Sequence, residues 1–278
     1  MKYTVLGATG FVGSHVAELA RRRGHEVFCP ARDERLDGQE LGHLIYSIGL
    51  TSDFRQRPHD TVTAHVTKLQ EVLTRTQFES LVYLSSTRVY ARCTAAVVSE
   101  DLPIPAVSTD FSDLYNLSKL MGESIALTHG PKIKIARLSN VIGADFQSDN
   151  FLISVVRDCV EHGCVKLRTS LASAKDFIAV EDVADVLLRL GVEGTQPIYN
   201  VASGRQTTNE QIVSEMVRLT GATISVAEGS PTVSFPQIDV SRLASELGFV
   251  ARPLETILPK LVNAFRRWPS RDIGKDAA

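Results

Sequence analysis

The sequence predicts an α/β chain built on an open, parallel, doubly wound sheet. Three observations carry that expectation. A short apolar strand at residues 2–6 runs into the glycine turn Gly7-Ala8-Thr9-Gly10-Phe11-Val12-Gly13, and an amphipathic helix follows at once. Strand-like and helix-like segments then alternate to about residue 145, the pattern of parallel strands joined by crossovers. In the middle of that series a strand ends in Ser85-Ser86. Open α/β sheets receive their ligands beyond the carboxyl ends of their strands, so hydroxyls there are well placed.

The elements follow in order. Residues 11–23 put Val12, Val16, Leu19 and Ala20 on one helical face, and Gly24 ends that helix. Residues 26–29 form the second strand. Residues 32–42 are polar and hold two glycines, and 43–47 read as the next strand. A full doubly wound unit fits a helix and a further strand in that interval, so the sheet is expected to be trimmed after its second strand. Residues 61–74 form a helix with Val62, Val66, Leu69 and Leu73 on one side. Residues 80–85 form a strand, 91–112 a loop, 114–128 a helix, 132–137 a strand and 138–143 a loop. Beyond 145 the alternation loosens. Helices are expected at 151–161, 183–190, 209–219, 240–247 and 254–268, and short strands at 165–168, 177–180 and 197–201. The expected division is a dinucleotide-binding domain over 1–145, to which the chain returns at 176–203. A small C-terminal α/β substrate domain then takes 146–175 and 204–278.

Composition excludes several function classes. The chain has 278 residues, 44% of them hydrophobic, and a formal charge of -2, with no basic stripe. Nucleic acid is therefore not an expected partner. No apolar run approaches the ~20 residues of a membrane span, and the start of the chain is broken by glycine too soon for a signal peptide. A soluble, cytoplasmic protein without a membrane partner is expected. Cys29, Cys93, Cys159 and Cys164 are scattered without a CxxC pair, and the seven histidines form no HExxH or HxE pattern. Reduced thiols and no metal are the expectation.

The glycine turn has a mechanical reading. Gly7 allows the tight turn, Gly10 lets the backbone approach a pyrophosphate at the helix N-terminus, and Gly13 lets the helix pack closely on the sheet. Thr9, Phe11 and Val12 belong to the same cradle. The spacing is GxxGxxG, and its place between strand and helix makes it a dinucleotide site. A carboxylate at the end of the second strand would hold the ribose 2′-hydroxyl of NAD, and a nearby Arg accommodates the 2′-phosphate of NADP. Ala31 stands where that acid belongs and Arg32 follows, so NADP(H) is favoured, with NAD(H) the alternative because Asp33 is close by.

Tyr115 and Lys119, four residues apart, share one helical face. An ammonium beside a phenol favours the phenolate and is expected to lower the Tyr115 pKa, suiting it to exchange a proton. The order glycine turn, Ser, Tyr, Lys resembles the short-chain dehydrogenase/reductase superfamily. More closely it is similar to the extended branch of sugar-nucleotide epimerases, dehydratases and reductases, whose sheet is Rossmann-like. Four further stretches carry the likeness: Leu81 to Tyr90, Arg137 to Gly143, Lys175 to Ala184 and Tyr199 to Gly204.

The resemblance implies roles for particular residues. Ser86, Tyr115 and Lys119 would be catalytic: Tyr115 exchanges the proton on the substrate oxygen, Ser86 orients that oxygen, and Lys119 tunes Tyr115 and binds the nicotinamide ribose. Ser85 and Leu138 would join the cofactor residues. The cofactor would add or remove hydride at the carbon. Thr87, Arg88, Asn140, Asn150, Arg168 and Lys175 are candidates for substrate binding. Competing readings stand beside these: Arg88 as a loop brace, Asn150 as a helix cap, and Arg32, Arg168 and Lys175 as solvated charges.

Two departures narrow the reaction. The 4,6-dehydratases of the branch follow the catalytic hydroxyl with an Asp-Glu pair, where this chain has Thr87-Arg88, so that dehydration is not expected. A late Arg that clamps the nucleotide diphosphate in many members is missing from Ser230 to Asp239. The leading expectation is NADP(H)-dependent reduction of a nucleotide-linked keto-sugar. An NAD-dependent 4-epimerase and a non-catalytic NADP-sensing protein are the alternatives. The resemblance also implies a homodimer, through helices including the one at 114–128.

Overall fold

The computed structural model describes residues 1–51 and 53–268. The chain forms two compact units, the first made of Met1–Ile142, Ala174–Thr207 and Ser234–Arg252, the second of Gly143–Ser173, Thr208–Val233 and Pro253–Ala278. The first unit holds a six-stranded sheet. Its strands are β1 (Lys2–Leu6), β2 (Glu26–Phe28), β3 (His43–Tyr46), β4 (Ser80–Ser86), β5 (Ile133–Leu138) and β6 (Ile198–Val201). They lie in the order β6-β5-β4-β3-β1-β2, and every pairing is parallel. Beyond β2 the sheet has no further strand among the described residues, which is the trimming read from the sequence.

Alternation along the strands builds two cores. Val5, Ile45, Val82 and Ala136 face one side, where Val16, Ala17 and Ala20 of α1 (Phe11–Arg22) meet Val183, Ala184 and Leu187 of the helix Val180–Glu193. Leu44, Tyr46, Leu81, Tyr83, Ile133 and Ile135 face the other side, with Leu69, Val72 and Leu73. Strands buried on both faces by helices are what a parallel sheet requires. The direction of strand progression reverses between β1 and β3, so the crevice beyond their carboxyl ends is the topological switch point.

The helix read over 61–74 is more complex. It begins as α2 (Pro58–Val62), widens into a π turn over Thr63–Thr67, and resumes as α3 (Lys68–Arg75). The tyrosines of the neighbouring strands serve that wide turn: Tyr46 donates to the Ala64 carbonyl at 2.7 Å and Tyr83 to the His65 carbonyl at 3.2 Å.

Three expectations are corrected. The loop read at 138–143 contains the strand Asn140–Ile142, paired with Phe177–Ala179. The loop read at 91–112 contains Val97–Val98, paired with Gln237–Ile238. Residues 204–207 and 234–252, read as part of the C-terminal domain, belong to the first unit. The reason is packing: Ile238 is buried with Val89, Tyr90, Val98 and Ala202, and Leu243 and Leu247 join the core under the sheet.

The second unit has its own α/β architecture. Cys164–Leu167 pairs in parallel with Thr223–Val226, and the helices are Phe151–Glu161, Asn209–Thr220 and Leu254–Arg267. Phe146 meets Phe265 edge to face, 5.0 Å between ring centres. Among the described residues, no helix is long and apolar enough to cross a membrane.

Candidate active site

The glycine turn is shaped by close approach. Gly7 has φ +83°, a backbone that side-chain-bearing residues rarely adopt. A Cβ on Gly13 would lie 2.3 Å from the Gly7 carbonyl oxygen and 2.6 Å from Ser47 Oγ, so only glycine fits there. Gly10 caps α1 without a side-chain hydrogen bond, and the first-turn N–H groups of a helix have no partners within it. Exposed backbone donors at the positive end of a helix dipole suit a pyrophosphate. The cradle therefore fits a dinucleotide.

Beyond it, Arg32 is exposed in the turn at 31–34, where Glu34 accepts a hydrogen bond from the Ala31 N–H at 2.9 Å. Arg32 makes no hydrogen bond or ion pair among the described residues.

The strand ending at Ser86 and the helix α4 (Leu114–Leu127) carry the reactive side chains. The Ser86 hydroxyl accepts from the Arg88 N–H at 3.2 Å, and its side chain pulls down the pKa of the neighbouring Tyr115 phenol. Lys119 lies one turn along from Tyr115. Its Nζ donates to the Leu84 carbonyl at 2.8 Å and sits 6.0 Å from the Tyr115 ring centre. Close packing of α4 is made possible by Gly122, where a Cβ would lie 2.3 Å from the Tyr83 hydroxyl.

Burial dominates the electrostatics. It pushes the Lys119 ammonium down to about 7, against a smaller upward pull from Glu123. The Tyr115 phenol is raised above its ordinary value, again by burial first, with the Ser86 side chain and the Arg88 charge opposing. This corrects the expectation that Lys119 would lower the Tyr115 pKa. The cation acting on the phenol is Arg88.

The two serines at the end of β4 face opposite ways. Ser86 meets Tyr115, whereas Ser85 donates to Glu123 at 2.5 Å, so its hydroxyl is engaged in the interior. Glu123 in turn is held by Arg137 through two hydrogen bonds, 3.0 and 2.7 Å. Thr87 donates to the Leu138 carbonyl at 3.3 Å, and the Asn140 amide donates to the Asp176 carbonyl at 2.7 Å. Lys175 is partly buried in the first unit, and its pKa is lowered by burial and by the Arg88 charge. Asn150 and Arg168 belong to the second unit. Asn150 caps the helix Phe151–Glu161, accepting from the Ile153 N–H at 2.9 Å, and Arg168 is exposed.

The sequence reading missed three participants. His65, on the π turn, is fully buried and sets its ring edge-on to Tyr115, 5.3 Å between centres. It accepts from the Leu50 N–H through Nε2 at 3.4 Å, which assigns the proton to Nδ1, 2.9 Å from the Ser118 hydroxyl. Burial, with Lys119 adding to it, pushes its pKa down to about 2, so the ring is neutral. Phe54 packs on Tyr115 with 5.3 Å between ring centres. Glu123 continues the row Tyr115, Lys119, Glu123 at four-residue spacing, and that spacing was the available signal for it.

A cofactor cradle at the switch point, with half-buried Ser86 and buried Tyr115 and Lys119 on the neighbouring strand and helix, can move a proton at a carbon–oxygen bond beside a bound dinucleotide. A family profile described as "NAD dependent epimerase/dehydratase family" matches residues 3–52 and 43–202. The chain belongs to the NAD-dependent epimerase/dehydratase family. It is an NAD(P)-dependent enzyme of the short-chain dehydrogenase/reductase type, and a nicotinamide cofactor goes with that membership. Among relatives, dTDP-4-dehydro-6-deoxy-D-allose reductase of Streptomyces bikiniensis is 24% identical over 311 aligned positions, covering 94% of this chain and 95% of that one.

Solved structures of similar proteins share the fold. MoeE5 in complex with UDP-glucose and NAD has a TM-score of 0.78 at 22% identity, covering 96% of this family member and 99% of MoeE5. RMD from Pseudomonas aeruginosa complexed with NADPH has a TM-score of 0.78 at 19% identity, with 95% and 99% covered.

Proposed function

We propose that this family member is an NADP(H)-dependent reductase of a nucleotide-linked keto-sugar. The observation that carries the reading is the buried Tyr115 phenol, set beside Ser86 and on one helical face with Lys119. The phenol is protonated at neutral pH and can give its proton to a substrate oxygen, the direction a reduction needs. Ser86 orients that oxygen. Lys119, neutral or charged near pH 7, holds the nicotinamide ribose and accompanies the proton's movement.

The bound nicotinamide supplies the two-electron redox chemistry. Gly7, Thr9, Gly10, Phe11, Val12 and Gly13 would hold its pyrophosphate, and Leu138 would line the nicotinamide end. Arg32, exposed and unpaired among the described residues, would take the 2′-phosphate. Thr87, Arg88, Asn140 and Lys175 would meet the sugar. The reductase from Streptomyces bikiniensis supports the substrate class by likeness. A homodimer is part of the same reading, supported by the apolar side chains of Leu117 and Met121, which α4 leaves exposed.

A second reading, an NAD-dependent 4-epimerase, is favoured by Glu34. Its carboxylate lies in the turn after β2, where an acid can hold the ribose 2′-hydroxyl of NAD.

The test is to denature the purified protein and identify any released dinucleotide by mass. The reductase reading expects none retained, with NADPH then binding about tenfold or more tighter than NADH, as an Arg–phosphate pair would give. Stoichiometric NAD(H) would overturn it in favour of the epimerase. Tyr115→Phe is expected to cut turnover by ~10²–10⁴-fold while leaving dinucleotide affinity intact.

A further inference from the structure

Beside Tyr115 the protein gathers two arginines, Arg88 and Arg55, that no carboxylate among the described residues pairs with. The Arg88 guanidinium carbon lies 5.7 Å from the Tyr115 ring centre and 5.1 Å from that of Phe54. The Arg55 guanidinium carbon lies 4.5 Å from the same Phe54 ring, so two guanidinium groups flank one aromatic side chain. Each has a contact to Ser112: Arg88 donates to its carbonyl at 3.3 Å and Arg55 to its hydroxyl at 3.4 Å. Arg88 Nε is buried without a hydrogen-bond partner. The Arg88 pKa is held below its ordinary value by burial and by Arg55, and Lys175 feels Arg88 in the same way.

The contrast with the other arginines that are at least partly buried is sharp. Arg92 pairs with Asp110 and Asp113, Arg137 with Glu123, and Arg242 with Asp101. Among the described residues, no carboxylate forms an ion pair with Arg88 or Arg55. The acids nearest Arg88 in charge, Asp113 and Asp110, are already engaged by Arg92.

We propose that Arg88, with Arg55 beside it, forms a subsite for a carboxylate carried on the substrate's sugar ring next to the reacting carbon. This rests on the keto-sugar reading above and deepens it: the substrate is an acidic, uronate-type sugar. Planar guanidinium groups match a carboxylate in shape and charge, and an unpaired donor is the side of that match the protein provides. The position selects the sugar's own acid over the nucleotide diphosphate. Arg88 acts on the Tyr115 phenol itself, the point that marks the reacting oxygen, and a group one or two bonds from the reacting carbon falls within its reach. Phe54, packed against both guanidinium groups and Tyr115, is the apolar wall that strengthens the pairing by excluding water.

The experiment is calorimetric titration of the NADP(H)-saturated protein with UDP-glucuronate, UDP-glucose and free glucuronate. Wild type, Arg88→Gln and Arg55→Gln are compared. The expected result is UDP-glucuronate binding about tenfold or more tighter than UDP-glucose, the worth of a charge-assisted pair. Arg88→Gln brings the ratio near one. Arg55→Gln, at an exposed side chain, lowers it about threefold, as expected of a weaker solvent-facing charge. A wild-type ratio near one overturns the subsite while leaving the nucleotide-sugar reading in place, and so does an equal loss for both nucleotides in Arg88→Gln. If neither nucleotide binds but glucuronate does, in an Arg88-dependent way, the subsite stands and the nucleotide-linked reading fails. No response to any of the three overturns the subsite.

Discussion

Ser85 and Ser86 are neighbours on one strand and open onto two regions built on opposite rules. Beneath Ser85 lies a closed polar lattice. Glu123 accepts from Ser85 and Arg137, Arg137 also donates to the Tyr90 hydroxyl at 2.7 Å, and Tyr90 donates to Asn200 at 2.9 Å. The Asn200 N–H donates to Glu100 at 2.8 Å. Above Ser86 the groups are left unsettled: Lys119 near neutrality, His65 uncharged, Tyr115 raised, and Arg88 with a buried donor unpaired. Both regions bury polar groups, but the first pairs its buried charges as Arg137 with Glu123, whereas in the second Lys119 bonds a neutral carbonyl and Arg88 Nε has no partner. A fully partnered buried network fixes one structure, whereas groups held away from their ordinary charge state are the ones a ligand can change. The motif Leu81 to Tyr90 therefore serves both regions, since Tyr90 anchors the lattice and Ser86 belongs to the site.

The largest expected effect breaks the lattice. Glu123→Gln leaves Arg137 buried with its charge uncompensated, which costs about 3–5 kcal/mol when one partner of a buried pair is removed. The midpoint of urea unfolding reports it. A loss under about 1 kcal/mol would show that the two regions do not divide the work of stability and chemistry as described.

This lattice also marks where the sequence was legible. The βαβ opening, the trimmed sheet and the row from Tyr115 to Lys119 could be read because strand and helix periods are local. The direction of Ser85 could not, since nothing local says which of two adjacent hydroxyls faces a carboxylate 38 residues further on. The π turn at Thr63–Thr67 is set by Tyr46 and Tyr83 from two other elements, so His65 looked like any helical histidine. Asn140–Ile142 and Val97–Val98 are too short to alternate visibly and exist through partners remote in sequence. The burial of Tyr115, which raises its pKa, depends on packing from several elements and could not be read from the four-residue spacing to Lys119.

The second prediction concerns stability on the other side of the comparison. Lys119 has a folded pKa of about 7 against an ordinary 10.5. Between those values the unfolded chain holds a proton that the folded chain lacks, so wild-type stability rises with pH across that window. Below about 7 both states are protonated, and the folded protein carries the full cost of a buried ammonium. Lys119→Met removes the group. Its stability relative to wild type is expected to be highest below pH 7 and to decline steadily as pH climbs toward 10.5. Chemical denaturation at pH 6 and pH 9 checks the sign, and a pH-independent difference would mean the ammonium is not destabilised by burial.

The smallest effect sharpens the comparison at His65, which resembles a lattice residue in its hydrogen bonds and a site residue in its place beside Tyr115. His65→Leu keeps the volume and removes the ties to Leu50 and Ser118. If His65 positions Tyr115, kcat should fall about tenfold, less than the ~10²-fold of a full 1 Å misplacement. KM and the urea midpoint should change little. Because the wild-type ring stays neutral down to about pH 2, the shape of the kcat profile between pH 5 and 8 should not change on substitution. A purely structural histidine would instead lower the urea midpoint and leave kcat alone. Loss of a wild-type inflection near pH 6.5 would show that the ring titrates in the working enzyme, placing it among the groups that exchange protons.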